Sequence, residues 1–257
     1  MELRLSGRRA IVCGSSRGLG RACAEALLGE GVEVVLNGRD PQRLAQTEAA
    51  LSALGTVRAV AADLDTEAGR RALLAACPEP DILVTNNGGP SPRFFAEVDE
   101  AAWADALAAN MIAPLMLIRA VLPAMRARRF GRIVNITSAM VTTPRPHMVL
   151  SAGARAGLTA ALKGLAIEVA RDNVTINNLL PERFDTDRQH FMAQKTAQRD
   201  NISYEAARAA QVESIAARRL GRPEEFGAMC AFLCSDLAGY MSGQNLHLDG
   251  GSYPALI

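Results

Sequence analysis

The stretch Gly14-Ser15-Ser16-Arg17-Gly18-Leu19-Gly20 decides the fold. It follows an apolar run, Arg9–Cys13, and leads into a helical pattern from Arg21 through Leu28. Strand, glycine-rich turn and helix form the setting in which a dinucleotide is held. The glycines let the backbone turn tightly and let a pyrophosphate come close. The helix start then offers N–H groups without intrahelical partners and a partial positive charge. The alternative is an ordinary glycine-rich βα loop; the spacing Gly-x3-Gly-x-Gly at the first βα turn favours the nucleotide. The expected contacts are Gly14, Ser16, Arg17, Gly18, Leu19 and Gly20.

Outward from this turn the chain alternates. Further apolar runs are Val32–Leu36, Val57–Ala61, Asp81–Thr85, Arg132–Thr137, Val174–Leu179 and Asn245–Leu248. Between most of them lie alanine- and leucine-rich stretches with helical spacing, such as the face Leu115, Ile118, Leu122 and Met125. Strands alternating with helices imply right-handed βαβ units and a sheet covered on both faces. The expectation is an α/β chain with a three-layer, doubly wound Rossmann-type fold and a mostly parallel seven-stranded sheet. One domain is expected over 1–257, with no repeat or linker. The segment 186–217 is the exception: polar, rich in Arg, Gln and Ala, it predicts one or two helices and no strand, placed where lids and substrate loops belong. The next helix is expected over Arg222–Cys234.

The second strand runs out through Leu36-Asn37-Gly38-Arg39. A site for unphosphorylated NAD places a carboxylate near here to hold the adenosine ribose. None occurs until Asp40, whereas Arg39 and Arg17 present guanidinium groups suited to a 2′-phosphate. NADP(H) is therefore the expected cofactor. The net charge is only +1, so no nucleic acid or acidic membrane surface is expected as partner. Met1 to Ser6 lacks the apolar run of a signal peptide, and no apolar stretch is expected to span a bilayer. The longest candidate, Met111 to Met125, is interrupted by Pro114, Arg119 and Pro123. The five cysteines, Cys13, Cys23, Cys77, Cys230 and Cys234, have no zinc-binding spacing and sit in apolar elements. No metal and a reducing, cytoplasmic setting are expected.

With these residues placed, the chain resembles the short-chain dehydrogenases/reductases over nearly its whole length, and most closely the 3-oxoacyl-carrier-protein reductase branch. The family's glycine motif is matched by Gly14, Gly18 and Gly20, and its acidic adenine contact by Asp63, with Leu64 following. Its Asn-Asn-Ala-Gly motif appears as Asn86-Asn87-Gly88-Gly89, which implies cofactor contacts at Asn87 and Gly88. Its catalytic asparagine and serine are matched by Asn110 and Ser138. Its motif near the nicotinamide appears as Pro181-Glu182-Arg183-Phe184-Asp185-Thr186, which implies contacts at Pro181 and Thr186. The ending Ser242-Gly243-Gln244 through Asp249-Gly250-Gly251 is similar to the family's last strand. The resemblance implies a small-molecule carbonyl or alcohol substrate and a homotetramer or homodimer. Small-residue faces at Ala152, Ala156, Thr159 and Ala160, and at Ala228 and Ala231, would suit helices meeting across a two-fold axis.

The departure lies at the family's Tyr-x3-Lys pair. Here the register places Ser151 at the tyrosine position and Arg155 at the lysine position. A serine hydroxyl is a far weaker acid than a phenol, whose pKa is about 10. It can hold a water but cannot replace the phenol directly. Arg155 keeps the positive charge in a planar, bulkier head. Losing a general acid costs on the order of 10²–10⁴ in rate. His147, one turn before Ser151, and Tyr204, in the lid segment, are the alternative proton donors; a surface-loop histidine and a packing tyrosine are the competing readings. Glu182, in place of the motif's glycine, either faces solvent or puts a carboxylate near the nicotinamide. The lid cations Arg188, Lys195, Arg199 and Arg208 are balanced by Asp187, Asp200, Glu205 and Glu213, which favours a solvated helix face. Three functions stay open: an oxidoreductase with a modified proton relay, an inactive NADP(H)-binding sensor or partner subunit, and a different chemistry on the same frame.

Overall fold

A computed structural model describes residues 2–256. Seven strands form one sheet in the order β3-β2-β1-β4-β5-β6-β7. They are β1 (Arg9–Val12), β2 (Glu33–Gly38), β3 (Val57–Ala61), β4 (Ile82–Thr85), β5 (Gly131–Ile136), β6 (Val174–Pro181) and β7 (Asn245–Leu248). Every neighbouring pair is parallel. The fold is thus α/β and doubly wound. The sequence order reverses between β1 and β4, and the crevice outside the carboxyl ends of the strands at such a reversal is where a ligand fits.

Several edges move by one or two residues from the sequence reading. Cys13 lies beyond β1; its N–H still bonds the Val84 carbonyl at 2.9 Å. Asp81 stops short of β4 because its carboxylate accepts the Arg9 N–H at 3.0 Å instead of facing a core. The second strand extends through Asn37 and Gly38, paired with Val60 and Ala61, and the sixth extends to Pro181, paired with Leu248. The fifth starts at Gly131 and ends at Ile136, and Arg222 caps the last helix instead of opening it.

The helices are α1 (Gly18–Gly29), α2 (Pro41–Leu51), α3 (Glu67–Ala76), α4 (Glu100–Leu107), α5 (Ala113–Arg128), α6 (Val149–Val169), α7 (Asp187–Asp200), α8 (Tyr204–Glu213) and α9 (Pro223–Cys234). The period-two alternation of β1 divides the core. Ala10 and Val12 pack toward α1 and α9 with Cys23, Leu27, Phe226 and Cys230. Ile11 and Cys13 pack on the opposite face with Leu117, Val121, Leu158 and Leu162. Burying a side chain of this size stabilises by roughly 1.5–3 kcal/mol. The approach of α1 to α9 depends on Gly227, where a Cβ would overlap the Ala22 carbonyl.

The sequence reading of Met111 to Met125 as interrupted needs correction. A π-turn, Ala108–Ile112, joins α4 to α5, giving one continuous helix over Glu100–Arg128 that is long and apolar enough to cross a membrane. Pro114 does not break it because the π-turn just before it already loosens the hydrogen-bond ladder there, and Pro123 is carried inside α5. Leu117, Ile118, Val121 and Met125 are nevertheless buried within the protein, against the sheet. The polar segment after β6 forms two helices, α7 and α8, as the pattern predicts.

Candidate active site

The site lies along the carboxyl edge of the sheet. At the first turn Gly14 and Gly18 have φ of 55° and 57°, in the left-handed region that glycine tolerates. A Cβ on Gly20 would overlap the Gly14 carbonyl oxygen, so only glycine lets the helix start this close to the strand. No side chain caps α1 and its first turn carries no acid, which leaves its N–H groups open to an anion. Ser16 is anchored through its carbonyl by Thr47 Oγ1 at 2.9 Å, Leu19 packs on the core and Arg17 reaches Asp187 at 3.3 Å.

Side chains missed by the sequence reading hold this turn. Asn37 is buried; its Oδ1 lies 3.4 Å from the Gly14 N–H, and its Nδ2 donates to the Val60 and Ala62 carbonyls at 3.2 and 3.1 Å. The Ser15 hydroxyl donates to the Val12 carbonyl at 2.7 Å and accepts from the Asn37 N–H at 3.0 Å. Asn86 Nδ2 donates to the Gly14 carbonyl at 3.0 Å. The signal was present: an asparagine is disfavoured in a buried strand and needs partners there. A second such set crosses four strands. Thr85 donates to Asn135 (2.7 Å), Asn135 to Asn178 (3.1 Å) and Asn178 to Asn245 (2.8 Å).

Beyond β2, Arg39 is exposed and makes no ion pair among the described residues, while Asp40 is committed elsewhere. Its Oδ1 accepts the N–H groups of Gln42 and Arg43 at 3.0 and 3.1 Å, capping α2. Asp63 is exposed after β3 and Leu64 is buried beside it. Asn87 donates to Asp65 at 2.9 Å and to the Ala109 carbonyl at 3.0 Å; Gly88 is exposed next to it. Across the crevice, a Cβ on Gly18 would lie 3.8 Å from Thr186 Cγ2, so the glycine turn faces the start of α7. Pro181 ends β6 on the same edge. A cavity of about 740 Å³ flanks the far side of α1 and shares only Gly18 and Thr186 with these positions.

Asn110 sits in the π-turn and is buried. Its Nδ2 makes long contacts to the Ala106 and Gly88 carbonyls, 3.4 and 3.5 Å, and its Oδ1 has no donor within the protein. An unmet buried acceptor costs about 1–3 kcal/mol, so a water or ligand donor is expected there. Ser138 follows β5, half-buried, and its Oγ accepts the Met140 N–H at 3.2 Å. Ser151 and Arg155 are both buried on α6. Arg155 Nη1 donates to the Ile136 and Thr137 carbonyls at 2.7 and 3.1 Å, and Nη2 to the Asn87 carbonyl at 3.4 Å. Burial, helped by the nearby charge of Arg188, pushes its pKa down to about 10, so it stays cationic at neutral pH. Cys13, behind the turn, is held as a thiol: burial pushes its pKa up to about 12.

The other candidates are drawn elsewhere. His147 is half-buried with its ring edge toward Phe94, centroids 6.2 Å apart, and Tyr204 shares a 2.7 Å hydrogen bond with His190. Glu182 does not face solvent. Its buried carboxylate pairs with Arg145 at 2.6 Å and Arg183 at 3.3 Å, and Arg183 in turn donates to the Gln211 carbonyl at the end of α8. Of the helix faces, Thr159 and Ala231 are buried within the chain, while Ala160 and Ala228 stay exposed.

A doubly wound parallel sheet with a glycine turn at its reversal defines a Rossmann-type dinucleotide-binding protein. Within that class the chain belongs to the short-chain dehydrogenase/reductase family of oxidoreductases, close to the 3-oxoacyl-[acyl-carrier-protein] reductases. A family model described as Enoyl-(Acyl carrier protein) reductase matches residues 14–253. The 3-oxoacyl-[acyl-carrier-protein] reductase of Aquifex aeolicus is 31% identical over 98% of this chain and all of that protein. The NADPH-dependent reductase BacG of Bacillus subtilis is 28% identical over 98% of this chain and all of its own length. L-sorbose reductase from Gluconobacter frateurii, solved with NADPH and L-sorbose, superposes over the whole of both chains with a TM-score of 0.94 at 29% identity.

Proposed function

We propose that this chain is an NADP(H)-dependent oxidoreductase that interconverts a carbonyl and an alcohol through a modified proton relay. NADP(H) binds with its diphosphate at Gly14, Ser16, Gly18, Leu19 and Gly20. Arg39 and Arg17 meet the 2′-phosphate, Asp63 and Leu64 the adenine, and Asn87, Gly88, Pro181 and Thr186 the remainder. The cofactor supplies or takes up the hydride. Ser138 hydrogen-bonds the substrate oxygen, and Arg155 holds positive charge beside the reacting centre. Ser151 leaves room for a water where the family has its phenol. The observation that carries this reading is Asn110: a buried Oδ1 without a donor, in a π-turn packed on α6, the helix that carries Ser151 and Arg155, is a seat for an ordered water. That water, relayed to solvent, replaces the missing phenol as proton source.

A non-catalytic NADP(H)-binding role is favoured by one observation. The donors of Arg155 with partners here are bonded to backbone carbonyls, a structural use that needs no chemistry. Titration of NADPH into the protein, followed by its oxidation at 340 nm with a panel of aldehydes and ketones, separates the two. Binding with turnover supports the oxidoreductase; saturable binding with no turnover on any member leaves the sensor or partner subunit.

The assembly is a homotetramer or homodimer built on the α5–α6 face. Leu115, Ile118, Leu122 and Leu165 line an apolar groove there, next to the exposed Ile112 and Ile167. Five buried free thiols suit a reducing, cytoplasmic setting. The single domain uses α7 and α8 as the lid over its substrate.

A further inference from the structure

We propose that Glu182 is a positioning residue: its carboxylate ties the loop that follows Ser138 to the end of the lid helix α8, and so holds Ser138 and the lid in one arrangement. The role rests on the oxidoreductase reading above and adds to that site a residue it does not yet use.

Two guanidinium groups meet on the same oxygen. Glu182 Oε1 lies 2.6 Å from Arg145 Nη2 and 3.3 Å from Arg183 Nε, and the Glu182 side chain is only 6% exposed. No other carboxylate lies within 4.0 Å of either arginine among the described residues. Asp185, the next acid along the chain, is held by Arg208. The backbone of Glu182 is fixed as well: its N–H bonds the Leu248 carbonyl at 3.1 Å, at the end of β7. Both arginines therefore hang on a point clamped to the sheet.

Arg145 leads from that point to Ser138. It lies in Thr143-Pro144-Arg145-Pro146-His147, within the loop between Ser138 and α6. The two prolines fix φ on either side of it and stiffen the segment. From Ser138 to Thr143 the loop is one hydrogen-bonded turn. The Ser138 carbonyl accepts the Val141 N–H at 3.1 Å, and the Ala139 carbonyl accepts the Thr142 and Thr143 hydroxyls at 3.2 and 2.9 Å. At the other end the Arg145 carbonyl accepts the Met148 N–H at 2.9 Å, where α6 begins. A displacement of Arg145 is thus passed to Ser138 in one direction and to the start of α6 in the other.

Arg183 leads to the lid. Its Nη1 donates to the Gln211 carbonyl and, at 2.6 Å, to Ser214 Oγ, at the end of α8. Gln211 in turn donates to the Gln189 carbonyl of α7 at 2.8 Å. Loop and lid so share one counter-charge. Burial pushes the Arg183 pKa down, Glu182 pulls it back up, and the charge of Arg145 adds to the lowering. Without Glu182 the two cations would repel each other across the joint.

Three variants separate positioning from plain stability: Glu182→Gln, Arg145→Met, and the two combined. Each is followed by hydrogen exchange in segments 139–148 and 204–214, by melting temperature, by NADPH titration and by NADPH oxidation on the panel of aldehydes and ketones. Glu182→Gln should speed exchange about tenfold in both segments, the worth of one charge-assisted hydrogen bond, and lower the melting temperature by roughly 4–8 °C. Arg145→Met should free the loop alone; its side chain is 40% exposed, so its loss does not threaten folding. The combined variant removes the repulsion together with the acid, so most of the melting temperature should return while loop exchange stays fast. In all three, kcat/KM on an accepted substrate should fall about 10–100-fold, the cost of a misplacement of up to about 1 Å, with NADPH affinity within about threefold.

Recovery of exchange and turnover along with the melting temperature overturns the role, because Glu182 would then serve stability alone. So does a Glu182→Gln variant that leaves exchange unchanged in either segment, or one whose NADPH affinity falls as far as its turnover. Fast exchange of both segments in Glu182→Gln, with no turnover by the unaltered protein on any panel member, upholds the tie between loop and lid and removes the oxidoreductase reading. Turnover that survives all three variants at full rate does the reverse.

Discussion

The turn after β1 and the helix α6 face each other along the same edge of the sheet, and they place their polar groups in opposite ways. At the turn the working parts are backbone: glycines at positive φ, uncapped N–H groups, and a carbonyl held by Asn86. Asn37, Ser15 and Thr47 tie that backbone to the strands behind it. On α6 the polar groups are side chains, Ser151 and Arg155, and Arg155 has backbone carbonyls as partners. Phosphate binding built on backbone survives sequence change as long as the glycines remain. Proton transfer built on a phenol and an ammonium is open to loss by two substitutions. On the function proposed above, the contrast would explain how a cofactor grip persists while an acid–base pair changes.

The largest expected effect comes from making the second region match the first. The double variant Ser151→Tyr, Arg155→Lys should raise NADPH turnover on any substrate the protein already accepts by about 10²-fold or more, the usual worth of a general acid. Steady-state kcat measures it. No gain would show that another proton source already serves the site, and a loss would show that Arg155 acts in its own right. The converse change attacks the turn. Gly20→Val forces side-chain atoms into the Gly14 carbonyl, a clash worth up to about 3 kcal/mol, so NADPH affinity should fall roughly 100-fold in a fluorescence titration. Unchanged affinity would mean that the diphosphate is bound elsewhere.

How far the sequence revealed each region follows from the same physics. The turn and the alternation of strands and helices were readable because each depends on local pattern: glycine spacing, β-branched runs, a 3.6-residue period. The edges of β1 and β4 were not, because a side chain (Asp81) and a tertiary bond (Cys13 to Val84) decide them. The helical face from Leu115 to Met125 was readable, but its continuation upstream through Asn110 into one long helix was not, since a π-turn is settled by packing and not by propensity. Glu182 was visible as an odd residue in its motif, but Arg145 lies 37 positions away in sequence, and nothing local announces their pairing. Arg188 stays exposed, as its charge balance with its lid neighbours suggests, but its bond to the Pro90 carbonyl joins positions 98 apart, which nothing local announces.

Arg39→Ala sharpens the cofactor side of the comparison at smaller scale. Arg39 is exposed and without an ion pair among the described residues, so its removal should leave the melting temperature unchanged. NADPH affinity should fall about 10–100-fold, the range for one or two hydrogen bonds to a phosphate, while NADH affinity stays within about threefold. Parallel titrations with the two nucleotides read the difference. Equal losses would place Arg39 on the diphosphate or adenine, and no loss would leave the 2′-phosphate to Arg17, freed from Asp187.

The smallest effect belongs to Asp40, and it tests the same discrimination from the other side. Its carboxylate is the nearest to the end of β2, where a ribose-binding acid would stand, yet both of its hydrogen bonds go to the N–H groups of Gln42 and Arg43. If capping is its work, Asp40→Ala costs about 1 kcal/mol. In a chain of this size that lowers the melting temperature by roughly 2–4 °C. NADH affinity should not change, because no ribose contact is lost. A drop of about tenfold in NADH affinity would instead mean that Asp40 leaves its cap to hold a free 2′-hydroxyl, a swing worth one charge-assisted hydrogen bond. The turn region would then be as adaptable in its side chains as α6, and the preference for the phosphorylated cofactor would rest on Arg39 and Arg17.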